Sequence, residues 1–279
     1  MELINGDCLE KMKDLPNESI DLLFCDLPYG ETACKWDSVI DLTLFWKQIN
    51  RVCKKTTPMF FTCSTKFGVT LINSNPKNYR YDLIWVKSSA CGFLNAKRMP
   101  MKKHELVYVF YRKLPLYDLS SHKHKFLKER NTKDYKNDSE VYGDVPRPDT
   151  MRKNGESAYD PPLPKSVVLE EGQTSGDKGN EVYGKFSYYN NGVKGYEPPL
   201  PHSILEIKSE RGKHSTQKPI ALMSWILKYY SAEEDTILDP TMGSGSTGVA
   251  CKEMNRKFIG IELDKNIFKI AQNRITPPP

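Results

Sequence analysis

The chain has 279 residues, 38% hydrophobic and 27% charged, with a net charge of +6. Fifteen Tyr, eleven Phe and four Trp supply a core, which excludes wholesale disorder. No apolar run approaches the roughly 18 residues that span a bilayer, and the first residues lack the basic, apolar and small-residue order of a secretory signal. A cytoplasmic chain without a membrane partner is expected.

The first zone, residues 1–114, alternates apolar runs with amphipathic stretches. The runs are IDLLFCDL (20–27), TPMFFTCS (57–64), YDLIWVK (81–87) and HELVYVFYR (104–112). Apolar residues at nearly every position predict strands covered on both faces, hence a largely parallel α/β sheet. LFWKQINRVC (44–53) and FGVTLINS (67–74) carry helical spacing. The run 104–112 follows 81–87 with no clear helix between them, so it is expected to be antiparallel.

Residues 115–210 are rich in Pro, Gly, Asn, Lys and Tyr. A weak duplication lies here: Glu140–Gly143 recurs at Glu181–Gly184, and Tyr159–Val168 recurs as Tyr196–Leu205. Two related loop-and-strand units are read, extended around their prolines; chance similarity in a biased stretch is the competing reading. Residues 211–279 return to α/β, with Pro219 opening a helix, strand DTILDP, the turn TMGSGS, a helix, strand KFIGIEL and a last helix.

Seven Cys occur without any C-x-x-C pair, and several sit inside apolar runs. They read as reduced, mostly buried thiols, and no metal site is expected. The positive charge is concentrated: from Lys87 to Lys136 there are thirteen Lys/Arg against four Asp/Glu, so the remainder is slightly acidic. This is a candidate phosphate-tracking surface, with Lys97, Lys102 and Lys103 as candidate contacts; a merely solvated face is the alternative.

Gly243-Ser244-Gly245-Ser246-Thr247-Gly248 fits G-x-G-x-x-G between a strand and a helix, and Glu262 ends the next strand. Glycines let the backbone approach a ligand, and Glu262 can accept hydrogen bonds from both ribose hydroxyls. An adenosine-containing cofactor is expected; a tight turn with an incidental surface Glu is the plain alternative. Asp239, just before the turn, would oppose a pyrophosphate. It suits a cationic α-amino group such as that of S-adenosylmethionine, which argues against a dinucleotide dehydrogenase.

Asp26-Leu27-Pro28-Tyr29-Gly30 closes the run 20–27. Ligands bind at the carboxyl ends of strands in open α/β sheets. Asp26 could accept one hydrogen of an exocyclic amino group, the Pro28 carbonyl the other, and Tyr29 could stack on the base.

On these residues the chain resembles the β class of DNA amino-methyltransferases, which use S-adenosylmethionine to methylate adenine N6 or cytosine N4. Asp26-Leu-Pro-Tyr is similar to their (Asp/Asn/Ser)-Pro-Pro-(Tyr/Phe) motif. Asp239-Pro-Thr-Met-Gly-Ser-Gly-Ser-Thr247 is similar to Asp-Pro-Phe-x-Gly-Ser-Gly-Thr-Thr, and His214-Ser-Thr-Gln-Lys-Pro219 to His-Pro-Thr-Gln-Lys-Pro. Asn5-Gly-Asp7 resembles the acidic turn near the cofactor adenine. The likeness covers about 1–112 and 202–275. It departs at Leu27, Thr241 and Ser215, none of which removes a group the chemistry needs.

The resemblance implies a Rossmann-like seven-stranded methyltransferase sheet, mostly parallel with one antiparallel strand, in circularly permuted motif order. Residues 1–114 form the catalytic half, 115–210 an inserted irregular target-recognition region, and 211–279 the cofactor half. Catalytic residues are Asp26, Pro28 and Tyr29. Cofactor residues are Asp7, Cys8, Lys218, Asp239, Thr241, Gly243, Ser244, Gly245, Ser246, Thr247 and Glu262. The implied reaction is methylation of adenine N6 in double-stranded DNA, with the base flipped out of the stack. Cytosine N4, RNA and protein amino groups remain as alternatives, as does a DNA-binding protein without activity, which would have no use for the glycine turn. A homodimer and a separately encoded cognate restriction endonuclease are compatible partners.

Overall fold

A computed structural model describes residues 1–30, 39–118, 120–121 and 218–276, with short strands at 123–124, 138–139, 143–144, 159–160 and 167–169. In chain order these form β1 (Glu2–Asn5), α1 (Cys8–Lys11), β2 (Leu22–Cys25), α2 (Leu42–Val52), β3 (Met59–Cys63), α3 (Thr65–Ser74), β4 (Tyr79–Cys91) and β5 (Lys102–Phe110). Then come β6 (Lys123–His124), β7 (Asp138–Ser139), β8 (Gly143–Asp144), β9 (Tyr159–Asp160) and β10 (Val167–Leu169). The chain ends with α4 (Ile220–Tyr230), β11 (Thr236–Asp239), α5 (Ser246–Glu253), β12 (Lys257–Glu262) and α6 (Lys265–Ile275).

The main sheet has eight strands in the order β1-β12-β11-β2-β3-β5-β4-β10. All pairings are parallel except those of β5, which runs antiparallel to both β3 and β4. The expected antiparallel run is therefore present, but the sheet exceeds the expected seven strands by one. The extra strand is β10, which pairs Val167–Leu169 with Ile84–Val86. It comes from within 115–210, where a three-residue strand is too short to leave a periodic signal.

Residues Met1–Tyr117 and Ser166–Pro279 form one compact unit and Asp118–Lys165 another. The second unit contains two antiparallel pairs, β6 with β9 and β7 with β8. The copy of the duplicated segment at 181–205 lies outside the described residues.

The elements begin where short polar side chains can take up unpaired helix N–H groups. Asp7 caps α1, Asp41 caps α2, Ser64 caps α3 and Asp264 caps α6. Pro219 precedes the first residue of α4, as its missing N–H predicts. β2 and β3 are buried at every position, as strands covered on both faces must be. Against one face of the sheet α2 packs Phe45, Trp46 and Ile49 onto Phe61 and Phe110. On the other face Tyr230 of α4 meets Phe60 edge-on, and its hydroxyl lies 2.8 Å from that of Tyr81.

The chain leaves β2 towards β3 on one side, while β11 and β12 lie on the other. The carboxyl ends of β2 and β11 thus meet where the sheet changes direction of progression, the place where open α/β sheets bind ligands.

Candidate active site

Two clusters occupy that edge. The first surrounds Asp26, directly after β2. One carboxylate oxygen, Oδ1, accepts hydrogen bonds from the Tyr29 hydroxyl at 3.1 Å and from the Thr62 hydroxyl. The other, Oδ2, accepts from Lys218 Nζ at 2.6 Å. Lys218 also faces Glu105 Oε2 at 3.6 Å, and Glu105 Oε1 is ion-paired with Lys87. A chain of alternating charges, Lys87, Glu105, Lys218 and Asp26, therefore runs along the end of the sheet. Burial pulls the Lys218 ammonium down, but the carboxylates of Asp26 and Glu105 outweigh it and hold the group above its ordinary value.

Tyr29 stacks one ring face on Phe67, with centroids 5.1 Å apart and planes 26° apart. Only its opposite face is left for a base. Burial, then the Asp26 charge, pushes its hydroxyl well above the ordinary range, so it stays a hydrogen-bond donor to Asp26.

The second cluster is the glycine turn after β11. Asp239 is 2% exposed. Its carboxylate accepts from the Thr241 amide at 3.2 Å and from the Thr247 hydroxyl at 2.6 Å. Burial pushes its carboxyl up to about 7 in spite of those bonds. Glu262 at the end of β12 accepts from the amides of Gly243 at 3.0 Å and Asp264 at 2.8 Å, and burial raises its carboxyl too. Each of its oxygens retains a second acceptor direction. Gly243 and Gly245 have φ of 52° and 82°, which side chains with a Cβ resist. Beside Gly243 the space is open, whereas a Cβ on Gly245 would strike Ile275 at 2.8 Å. From α6, Arg274 clamps the turn by donating to the Ser244 carbonyl at 2.6 Å and its hydroxyl at 2.9 Å. Ser246 Oγ is buried and has no hydrogen-bond partner among the described residues, as suits a hydroxyl reserved for a ligand.

One side chain joins the clusters. The Thr241 hydroxyl donates to the Asp26 carbonyl at 3.1 Å and lies 3.3 Å from Cys25 Sγ. Where the resemblance expects an aromatic contact at this position, a short hydroxyl instead ties β11's turn to β2's end.

Lys218, expected at the cofactor, pairs with Asp26 in this structure and directly precedes Pro219, the cap of α4. Lys103, expected on phosphate, is 8% exposed and is not an open surface charge; the pleat of β5 turns alternate residues inwards. Lys97 is exposed and Lys102 half-buried. Asp7 caps α1 with the oxygen that accepts from Leu9 N at 2.7 Å. Cys8 packs in the core, its thiol pushed up to about 12 by burial and by Asp7. Pro28 is half-buried beside Asp26.

Sequence reading missed Thr62 and Arg274 as parts of the site. Thr62 did leave a signal, a hydroxyl inside the apolar run 57–64. Among the described residues no group of His, Cys, Asp and Glu could hold a metal ion, and no helix is long and apolar enough to cross a membrane.

A family model described as DNA methylase matches residues 20–273. The chain is 26% identical over 302 aligned residues to the type II methyltransferase M.HinfI of Haemophilus influenzae, covering 98% of this chain and 67% of that one. It is 26% identical over 285 residues to the DNA adenine methyltransferase YhdJ of Escherichia coli, covering 98% and 82%. The fold superposes on the crystal structure of an M1.HpyAVI–SAM complex with a TM-score of 0.55 at 19% identity, covering 99% of this chain and 98% of that one.

Proposed function

The chain belongs to the DNA methylase family, and from that premise we propose that it transfers a methyl group from S-adenosylmethionine to N6 of a specific adenine flipped out of duplex DNA. The observation that carries this reading is the Thr241 bridge. It sets an acceptor for an amino group, Asp26, directly beside a turn built to hold an adenosine derivative. The relative named for adenine methylation, and the Asp at position 26, favour adenine over cytosine.

The residues of the glycine turn fit the methyl donor. Glu262 would take the ribose hydroxyls with its remaining acceptor directions, and Asp239 the α-ammonium, which would stabilise the charge that burial disfavours. Ser246 and the backbone of Gly243–Gly245 would line the cradle, with Asp7 and Cys8 near the adenine end. Bound S-adenosylmethionine supplies an already electrophilic methyl, so the protein's task is to place two reactants in line.

Asp26 would accept one amino hydrogen and the Pro28 carbonyl the second, directing the nitrogen lone pair out of the ring plane. To reach Asp26 Oδ2 the amino group must share the place that Lys218 Nζ occupies. Residues 115–210 would read the DNA sequence, in the cytoplasm, either in a homodimer or beside a separately encoded endonuclease.

The test is to incubate the protein with unmethylated duplex DNA and S-adenosylmethionine and quantify modified nucleosides by mass spectrometry. N6-methyldeoxyadenosine is expected, with a loss on the order of 10²–10³-fold for Asp26→Ala, the scale of removing one pre-placed polar group. N4-methyldeoxycytidine would overturn the base assignment, and no modified base would overturn the DNA reading.

A further inference from the structure

The hairpin joining β4 to β5 presents an apolar, basic tip that the chemistry at Asp26 does not use. Phe93, Leu94 and Met99 are 68%, 83% and 58% exposed. Single exposed apolar residues are ordinary, but three within seven positions form a patch. From Ser88 to His104 there are four Lys/Arg and no Asp or Glu. Of these, Lys97 and Arg98 are exposed at the tip itself.

The tip is built, not frayed. Gly92, at φ 90°, starts a turn in which the amides of Asn95 and Ala96 donate to the carbonyls of Gly92 and Phe93 at 3.0 and 3.1 Å. A second turn follows, with Arg98 N and Met99 N both donating to Asn95 O at 2.8 and 3.0 Å. Ala96 and Met101 are buried and anchor the loop from below. The exposed apolar side chains are thus held outwards by a self-bonded backbone.

Its place in the fold is specific. β2 runs parallel to β3, and β5 antiparallel to both β3 and β4, so β4 ends at the same edge as β2 and the hairpin leaves the sheet on the side of Asp26. Glu105, near the start of β5, already faces Lys218, which holds Asp26. Lys102, where β5 begins, lies three residues further towards the tip, about 10 Å along the strand.

We propose that this tip is a wedge for duplex DNA: Phe93 and Leu94 enter the stack where the target base leaves it, while Arg98 and Lys97 meet the flanking phosphates. The inference rests on the DNA-methylating reading above. A flipped base leaves unstacked neighbours, and apolar side chains inserted between base steps are a known way to offset that loss. A polyanion is the occupant that the charge of the tip selects, and the reactive edge alongside gives an apolar insertion a use.

The test compares two oligonucleotides that carry the mapped target, one fully paired and one with the target base opposite an abasic residue. The readout is transfer from labelled S-adenosylmethionine. Phe93→Ser/Leu94→Ser is expected to lower the rate on the paired duplex at least ten-fold and on the unpaired target less than two-fold. Leu94→Ala, at the most exposed position, keeps the question open to refutation if the double variant fails to fold, with a duplex-specific loss of at least three-fold expected. Equal losses on both substrates, or no loss on either, overturn the wedge. A change of oligomeric state in sedimentation also overturns it, in favour of contact between copies. If the wild type methylates neither substrate, it is the DNA-methylating reading itself that fails.

Discussion

The two halves of the site are built on different principles. Around Asp239 the chain uses backbone: two left-handed glycines, amides donated to Glu262, and a helix that begins at the turn, all within residues 239–264. Around Asp26 it uses side chains drawn from four segments, with Thr62, Glu105 and Lys218 separated by up to 192 residues from the carboxylate they serve. A ligand cradle needs shape, which a short contiguous turn can provide. An acceptor for a transient amino group needs a tuned charge, which only converging side chains can supply.

That contrast can be broken most severely at Asp239. Asp239→Asn is expected to weaken S-adenosylmethionine binding on the order of 100-fold, read by calorimetry, because the cation loses its counter-charge. The same change should relieve the folded protein. The folded carboxyl titrates at about 7 against an ordinary 3.8, so between those values the folded state holds a proton that the unfolded chain has released. Wild-type stability therefore falls as pH rises through this window. The variant should gain about 2 kcal/mol relative to wild type between pH 5 and pH 8, measured by urea unfolding. Wild-type cofactor affinity should rise over the same interval as the carboxylate forms.

The charge chain is the next point of attack. Lys218→Met leaves Asp26 without its cation and Glu105 with Lys87 alone. A loss of about 1–2 kcal/mol is expected, below the range for fully buried pairs because the Asp26 side chain is 30% exposed. kcat should fall by about ten-fold with cofactor affinity unchanged. Adding Glu105→Gln should return part of the stability, a coupling that a double-mutant cycle would show. The smallest effect belongs to Thr62→Val, which removes one of two donors to Asp26 Oδ1. About 1 kcal/mol, or some five-fold in kcat, is the expected scale.

The same contrast explains what could be read from residue order. The glycine turn was legible because its function lies in contiguous backbone. So were the apolar runs 20–27 and 57–64, whose full burial leaves no alternation. Asp26 was legible as the end of such a run, but its partners were not, since nothing local links Lys218 to it. Lys103 misled because counting charge ignores the pleat that turns it inwards. β10 fell in a stretch read as a loop-and-strand unit, but its place in the main sheet was not legible because three residues carry no period.

The order of strands carries a last consequence, for the birth of the protein. β1 and β2 are consecutive in the chain, yet β12 and β11 lie between them in the sheet. The first described strand pairs with the last, and the Asn5 amide side chain donates to the Glu262 carbonyl at 2.7 Å. On the ribosome β1 and β2 must therefore wait, each with an open edge, until β11 and β12 have emerged. Such distant closure is slow and exposes nascent chains to aggregation or chaperone capture. It also means that a chain interrupted before β11 lacks Asp239, the glycine turn and Glu262, the residues proposed to hold the cofactor.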